Sequence, residues 1–93
     1  MYAVTVTFVV KPEMMPSFLP LMARNARISR KVETGCQHFD VCRDGDIVFL
    51  YEVYDDRTAF DAHLASAHFQ EFDAAVSSMI QEKQVRLFNE VIR

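Results

Sequence analysis

The strongest constraint on the fold comes from two segments, residues 2–10 and 47–54, which alternate as β-strands and are apolar on both faces. From position 3 to position 10, the residues on one side are Val, Val, Phe and Val, and those on the other are Ala, Thr, Thr and Val. In residues 47–54, only Glu52 interrupts an apolar and aromatic run. A strand that is apolar on both faces indicates a sheet that is covered on both sides.

Four strands and two helical regions follow one another in the order β-α-β-β-α-β. Strands are predicted at residues 2–10, 36–42, 47–54 and 84–92, and helical regions at residues 13–33 and after residue 56. Asp44-Gly45 predicts a tight hairpin between the second and third strands. This order is typical of the ferredoxin-like α+β class with an antiparallel four-stranded sheet, and we expect residues 1–93 to form a single domain.

Prolines and capping residues set the expected helix ends. Because Pro20 lacks an N–H, the first helix is predicted to begin near Ser17, or else an earlier turn kinks at Pro20. Asp55 or Asp56 is the expected N-cap of the second helical region. A break is predicted near Ser66, which can cap the second piece of that region.

A β-α-β-β-α-β domain places its helices on one face of the sheet, so the other face is left bare. Since both faces of the strands at 2–10 and 47–54 are apolar, something must cover the bare one. A second copy of the chain, packed face to face, is the simplest cover, and the sequence therefore predicts a homodimer.

Composition excludes several classes of partner. The chain has a net charge of −3, and its densest basic group, Arg24, Arg27, Arg30 and Lys31, is best explained as the solvated face of a helix. We therefore expect no nucleic-acid partner. No apolar run approaches the roughly 20 residues of a membrane span, so no membrane association is expected. The free thiols expected for Cys36 and Cys42 favour a cytoplasmic location.

Three motifs resemble those of the antibiotic-biosynthesis monooxygenase (ABM) family. They are Gly-Cys-x-x-Phe-Asp-Val at residues 35–41, Phe-Leu-Tyr-Glu-Val-Tyr-Asp-Asp at residues 49–56 and Ala-Phe-x-x-His-Leu-x-Ser-x-His-Phe at residues 59–69. The resemblance implies two sheets packed into a dimeric α+β barrel, with a small-molecule pocket in each subunit between the sheet and the helices. Within the family, residues 39–68 and the segment 86–89 look most like isomerases of a phosphorylated quorum-sensing signal.

The family also includes haem-degrading oxygenases, but the resemblance to that branch is poor. The spacing would place the haem-ligating His near Asp73 and a characteristic Trp at His63. We therefore expect no cofactor.

His63 and His68 are the candidate acid/base groups, because histidine changes its charge near working pH. On one continuous helix they would lie about 140° apart, so a metal site is not expected. A break between them lets both rings approach one cavity. The alternative is that His63 is a satisfied interior residue and His68 merely begins a helix.

Asn25 lies in the middle of the apolar face of the first helix. A buried amide needs a partner, which is either a backbone group or a substrate oxygen, so Asn25 is the candidate oxyanion donor. Ser29, one turn further on, either lines the pocket or bonds back to its own helix.

Side chains of the second and third strands complete the expected pocket: Phe39, Asp40, Tyr51 and Glu52. Asp40 or Glu52 could orient a histidine. Alternatively, Glu52 is a base whose pKa is tuned by burial, or a structural partner of Arg86 at the dimer interface.

The residues and the resemblance together favour a cofactor-independent enzyme that removes a proton from a small phenolic, quinol or carbonyl molecule. It would act as a monooxygenase or as an isomerase of a small phosphorylated carbonyl compound. A dimer that binds a small ligand without catalysis is the competing hypothesis, and a purely structural dimer with a filled core is a third.

Overall fold

A computed structural model describes residues 1–93 and contains seven main elements. They are β1 (Tyr2–Val10), α1 (Met15–Val32), β2 (Cys36–Asp44), β3 (Ile47–Tyr54), α2 (Arg57–Ala65), α3 (Ala67–Val76) and β4 (Ile80–Phe88). Single 3₁₀ turns, Pro12–Met14 and Ser77–Met79, precede α1 and β4. The β2–β3 hairpin turns at Gly45, whose φ of +60° is a conformation that glycine adopts without strain.

The four strands form one antiparallel sheet in the order β2-β3-β1-β4. The helices cover one face of it, which we call the helix face. This confirms the ferredoxin-like α+β fold. No helix is long and apolar enough to cross a membrane.

The core lies between the helix face and the apolar sides of the helices. The even-numbered residues of β1 from Val4 to Val10 and those of β3 from Val48 to Tyr54 are buried there. Phe18 and Met22 of α1 pack against them without exposed surface. Helical spacing of i and i+4 puts both side chains on one stripe of α1.

The opposite face of the sheet carries no helix and leaves apolar side chains exposed, including Ile47 and Phe49 of β3 and Phe88 of β4. We call it the open face. Val53, near the end of β3 on this face, is nevertheless fully buried.

The predicted bounds of the last strand are wrong, and of the two starts left open for the first helix the structure has the earlier one. The last strand is Ile80–Phe88 and not 84–92. It pairs with β1 from Ala3 to Val10, and this pairing adds the polar residues before position 84 to the strand. The first helix begins at Met15, so Ser17 does not cap it. Pro16 falls at the second helical position, where no donor is needed, and Pro20 costs the helix one hydrogen bond.

The predicted caps of the second helical region are confirmed. Asp56 caps α2, because its Oδ1 accepts from the backbone N–H of Ala59 at 2.8 Å. Ser66 ends α2 and caps α3, because its Oγ accepts from the N–H of Phe69 at 3.3 Å.

Candidate active site

A cavity of about 310 Å³ lies between the helix face of the sheet and the helices. Most of its wall is apolar. Its polar lining residues are Asn25, Glu52, Arg57, His63 and Lys83. On the β4 side the wall is formed by Val85 and Leu87, which are 46% and 45% exposed because no helix covers this edge strand. The cavity therefore opens towards β4. A largely apolar cavity with a few converging polar groups is the usual form of a small-molecule site.

His63 lies in the last turn of α2 and is 2% exposed. Its ring is surrounded by the rings of Tyr54, Phe60 and Phe69, whose centroids lie between 5.1 and 6.4 Å away. Its Nδ1 is 2.8 Å from Oε2 of Glu33. Nε2 has no hydrogen-bond partner within the chain. His63 thus combines an anchored nitrogen with a free one at the wall of the cavity.

Glu33 was not anticipated from the sequence. It is the C-cap of α1, and its Oε2 accepts hydrogen bonds from both His63 and His68, the latter at 2.5 Å. Burial raises the pKa of Glu33, but hydrogen bonds and charge attraction from the two histidines outweigh burial and hold that pKa below its ordinary value. The sequence feature that could have pointed to Glu33 is its position at the C-terminus of α1, where an acidic residue interacts unfavourably with the helix dipole.

The two histidines converge because the chain turns between them. Ser66 has an extended backbone conformation and separates α2 from α3. The rings of His63 and His68 therefore lie 5.9 Å apart between centroids, instead of pointing to different sides of one helix. His68 does not line the main cavity. It borders a smaller groove between α1 and α3.

Glu33, His63 and His68 are also a donor set of the kind that binds transition metals, with ligand atoms within 4.8 Å of one another. The carboxylate oxygen, however, lies 2.8 and 2.5 Å from the two nitrogens. Two ligands of a tetrahedral zinc ion, each bonded at about 2.0–2.1 Å, would be roughly 3.3 Å apart. The observed oxygen–nitrogen distances are shorter than this, so they are distances of hydrogen bonds and not of two ligands on one zinc ion.

Asn25 lines the cavity and is buried, and its side-chain Oδ1 has no hydrogen-bond partner. Its Oδ1 is therefore available to accept a hydrogen bond from a ligand, whereas the oxyanion-donor role would use the side-chain NH₂ group of Asn25. Ser29 does not reach the cavity. Its hydroxyl donates to the backbone carbonyl of Asn25 at 2.8 Å, which is the alternative role expected for it.

Glu52 lies on the helix face and lines the cavity at 3% exposure. Its Oε1 accepts a hydrogen bond from the hydroxyl of Tyr54 at 2.5 Å. Burial raises the pKa of Glu52, although this hydrogen bond works in the opposite direction. Arg86 is not its partner, because Arg86 pairs with Thr5 and lies on the open face.

Phe39 also lines the cavity, but its neighbour Asp40 does not. Adjacent residues of a strand point to opposite faces, so Asp40 lies on the open face, opposite Tyr51. There it bonds the exposed His38 at 2.6 Å. The expectation that Asp40 and Tyr51 belong to the pocket is therefore corrected: the structure brings together Asn25, Phe39, Glu52 and His63.

The chain matches the antibiotic biosynthesis monooxygenase family over residues 1–75. It belongs to this family.

Solved structures share the fold over nearly the whole chain. A protein described as an antibiotic biosynthesis monooxygenase is 27% identical, with a TM-score of 0.90 over 99% of this chain and 100% of that one. A protein from Nitrosomonas europaea, described as a candidate antibiotic biosynthesis monooxygenase, is 25% identical, with a TM-score of 0.93 over 99% and 100%. A Mycobacterium tuberculosis protein is 24% identical, with a TM-score of 0.92 over 99% and 96%, and this likeness concerns the fold alone. A search of curated proteins gives no match.

Proposed function

We propose that the chain is a cofactor-independent monooxygenase that removes a proton from a small phenolic or quinol substrate held in the cavity. One observation carries this proposal. A buried histidine with a free ring nitrogen and a buried amide with a free oxygen both line the same apolar cavity. Family membership and the two relatives described as antibiotic biosynthesis monooxygenases support the monooxygenase part of this proposal.

His63 is the proposed general base and Asn25 the proposed donor to the oxygen that becomes negatively charged. Nε2 of His63 removes the hydroxyl proton, and the side-chain NH₂ group of Asn25 donates to the resulting oxyanion. The electron-rich anion reacts with dioxygen at a ring carbon. One oxygen atom stays on that carbon as a carbonyl, and the other leaves as water together with the two hydrogens lost from the substrate.

In the isomerase alternative, the same base removes a proton from a carbon next to a carbonyl, the amide of Asn25 donates to the enolate oxygen, and a proton is then returned to another carbon. The buried carboxyl of Glu52 favours it, because its raised pKa keeps this group protonated to a higher pH than an ordinary carboxyl, so that it can donate a proton. Lys83 and Arg57 also line the cavity and could hold a phosphate group.

The homodimer is part of the proposal. The exposed apolar residues of the open face support it, because monomeric proteins rarely leave such surface to water. A non-catalytic ligand-binding dimer would have the same assembly. The cytoplasmic location is proposed from the two free cysteines, Cys36 and Cys42.

Incubation with a panel of quinols and phosphorylated diketones, analysed by mass spectrometry, tests the function. A product that has gained an oxygen atom supports the monooxygenase, and a product of unchanged mass supports the isomerase. The matched variants are His63→Gln, which should abolish turnover, and His38→Gln, which changes an exposed histidine of the open face. Tight binding with no product from any candidate would instead favour the non-catalytic hypothesis.

A further inference from the structure

A single carboxylate oxygen, Oε2 of Glu33, accepts hydrogen bonds from two histidines immediately behind the cavity. Proton abstraction by His63 does not by itself require this arrangement. We propose that Glu33 is the positioning residue of the site, which fixes the tautomer of His63 so that its Nε2 is the base, and that His68 holds Glu33 in place. This inference rests on the proposed function of His63.

The direction of the hydrogen bond between His63 and Glu33 follows from the donors and acceptors around Nδ1 of His63. Besides Glu33, the only polar atom near Nδ1 of His63 is Oγ of Ser29, at 3.4 Å. Ser29 uses its proton on the carbonyl of Asn25 at 2.8 Å and has none to offer. Nδ1 therefore carries the proton and donates it to the carboxylate. In a neutral imidazole the other nitrogen is then unprotonated, so Nε2 is left as the base.

In the hydrogen bond between His68 and Glu33, the histidine is again the donor. Nε2 of His68 lies 3.2 Å from Oγ of Ser66, which donates its own proton to the carbonyl of His63 at 2.6 Å. Nε2 of His68 therefore carries a proton and donates it to Glu33. Two donors from different helices, α2 and α3, fix the carboxylate at the end of α1.

The charge of Glu33 also serves the proposed reaction. When His63 takes a proton it becomes an imidazolium in an apolar pocket, and burial disfavours that charge. A carboxylate at 2.8 Å offsets this cost by charge attraction. The low pKa of Glu33 keeps the carboxylate ionised at neutral pH.

The tautomer can be measured without a substrate, by long-range ¹⁵N–¹H NMR of the histidine rings. In the wild-type protein, at a pH where His63 is neutral, we expect Nδ1 protonated and Nε2 unprotonated. In Glu33→Ala we expect the Nε2-protonated form to appear. The matched control is Asp40→Asn, which removes the charge from the exposed His38–Asp40 pair and should leave the His63 signals unchanged.

A protonated Nε2 in neutral wild-type His63 would overturn the inference, and this measurement needs no variant to fold. An unchanged tautomer in a folded Glu33→Ala protein would overturn it as well. Titration with Zn²⁺ examines the metal-binding alternative. Stoichiometric binding at micromolar Zn²⁺, with shifts of both the His63 and His68 signals, would make the cluster a metal site and reject the positioning role.

Activity supplies a second readout once a substrate is identified. Glu33→Gln keeps the shape but not the charge, so kcat should fall about 100-fold or more with little change in KM. Restored activity in Glu33→Asp would support a role for the charge, whereas equal activity in wild type and Glu33→Gln would contradict it. Because the tautomer is observed without substrate, failure of the proposed reaction would leave the NMR result intact, and the two failures can be told apart.

Discussion

Tyr54 and Glu52 lie two residues apart on β3, and the hydroxyl of Tyr54 donates to Oε1 of Glu52 at 2.5 Å inside the core. The period of two along a strand brings both side chains to the helix face. Tyr54 is fully buried, and its pKa is raised by burial and by the neighbouring carboxylate. The tyrosine therefore remains a donor, and Glu52 is the only acidic residue that lines the cavity.

The raised pKa of Glu52 makes stability depend on pH. The folded state binds the proton of Glu52 more tightly than the unfolded state, whose pKa is near the ordinary 4.5. The stabilisation is therefore complete below pH 4.5 and is lost as the pH rises through the folded value. The groups whose charges act on Glu52 are His63, Glu33 and Lys83.

We expect Glu52→Gln to lose this pH dependence, because Gln does not titrate. Relative to wild type, the variant should become progressively more stable as the pH rises above the ordinary carboxyl pKa of 4.5. Urea unfolding at several pH values measures the difference, with the exposed Glu82→Gln as the control. If the difference in the free energy of unfolding between wild type and Glu52→Gln does not change with pH, the prediction is wrong.

Ser66 should contribute more to stability than the exposed Ser17 of α1. Its Oγ accepts from the N–H of Phe69 and donates to the carbonyl of His63, so it satisfies one group from each helix. Ser66→Ala should lower the free energy of unfolding by about 1–2 kcal/mol. Ser17→Ala, at an exposed position in α1, should lower the free energy of unfolding by only a few tenths of a kcal/mol. Equal effects of the two substitutions in urea unfolding would show that the cap is not important.

Most of the fold could be predicted because it depends on local patterns. Alternation identifies β1 and β3, helical periodicity identifies α1, and a capping serine marks the break at Ser66. The start of β4 could not be predicted, because Gln81, Glu82 and Lys83 show no alternation and the strand begins there only through pairing with β1.

The site was partly predictable for a similar reason. Asn25 and His63 are polar residues on apolar stripes, and the sequence shows this directly. Phe39 and Asp40 are neighbours on one strand, so only one of them could face the cavity, and tertiary packing selects which one. Glu33 could not be joined to His63 from the sequence, because 30 residues separate them and the contact exists only after α1 and α2 are packed.

The open edge of the cavity at β4 predicts a way to block the site without disturbing the core. Val85 lines the cavity but is nearly half exposed, so a larger side chain there can be accommodated. Val85→Trp should weaken binding of any cavity ligand at least tenfold while the thermal midpoint stays within a few degrees. Val32→Trp, at an exposed apolar position outside this cavity, is the control. Calorimetry that finds unchanged affinity in Val85→Trp would show that ligands do not occupy this cavity.

The proposed homodimer predicts that a charge on the open face separates the subunits. Phe49 lies on this face in the inner strand β3 and is 38% exposed in the single chain. Burying an unpaired carboxylate between two apolar sheets is costly, so Phe49→Glu should convert the dimer into a monomer. Analytical ultracentrifugation measures the mass, and Val32→Glu, which adds the same charge at the end of α1, should leave the dimer intact. A monomeric wild-type protein at tens of micromolar would rule out the dimer, and a dimeric Phe49→Glu would place the interface on a different surface.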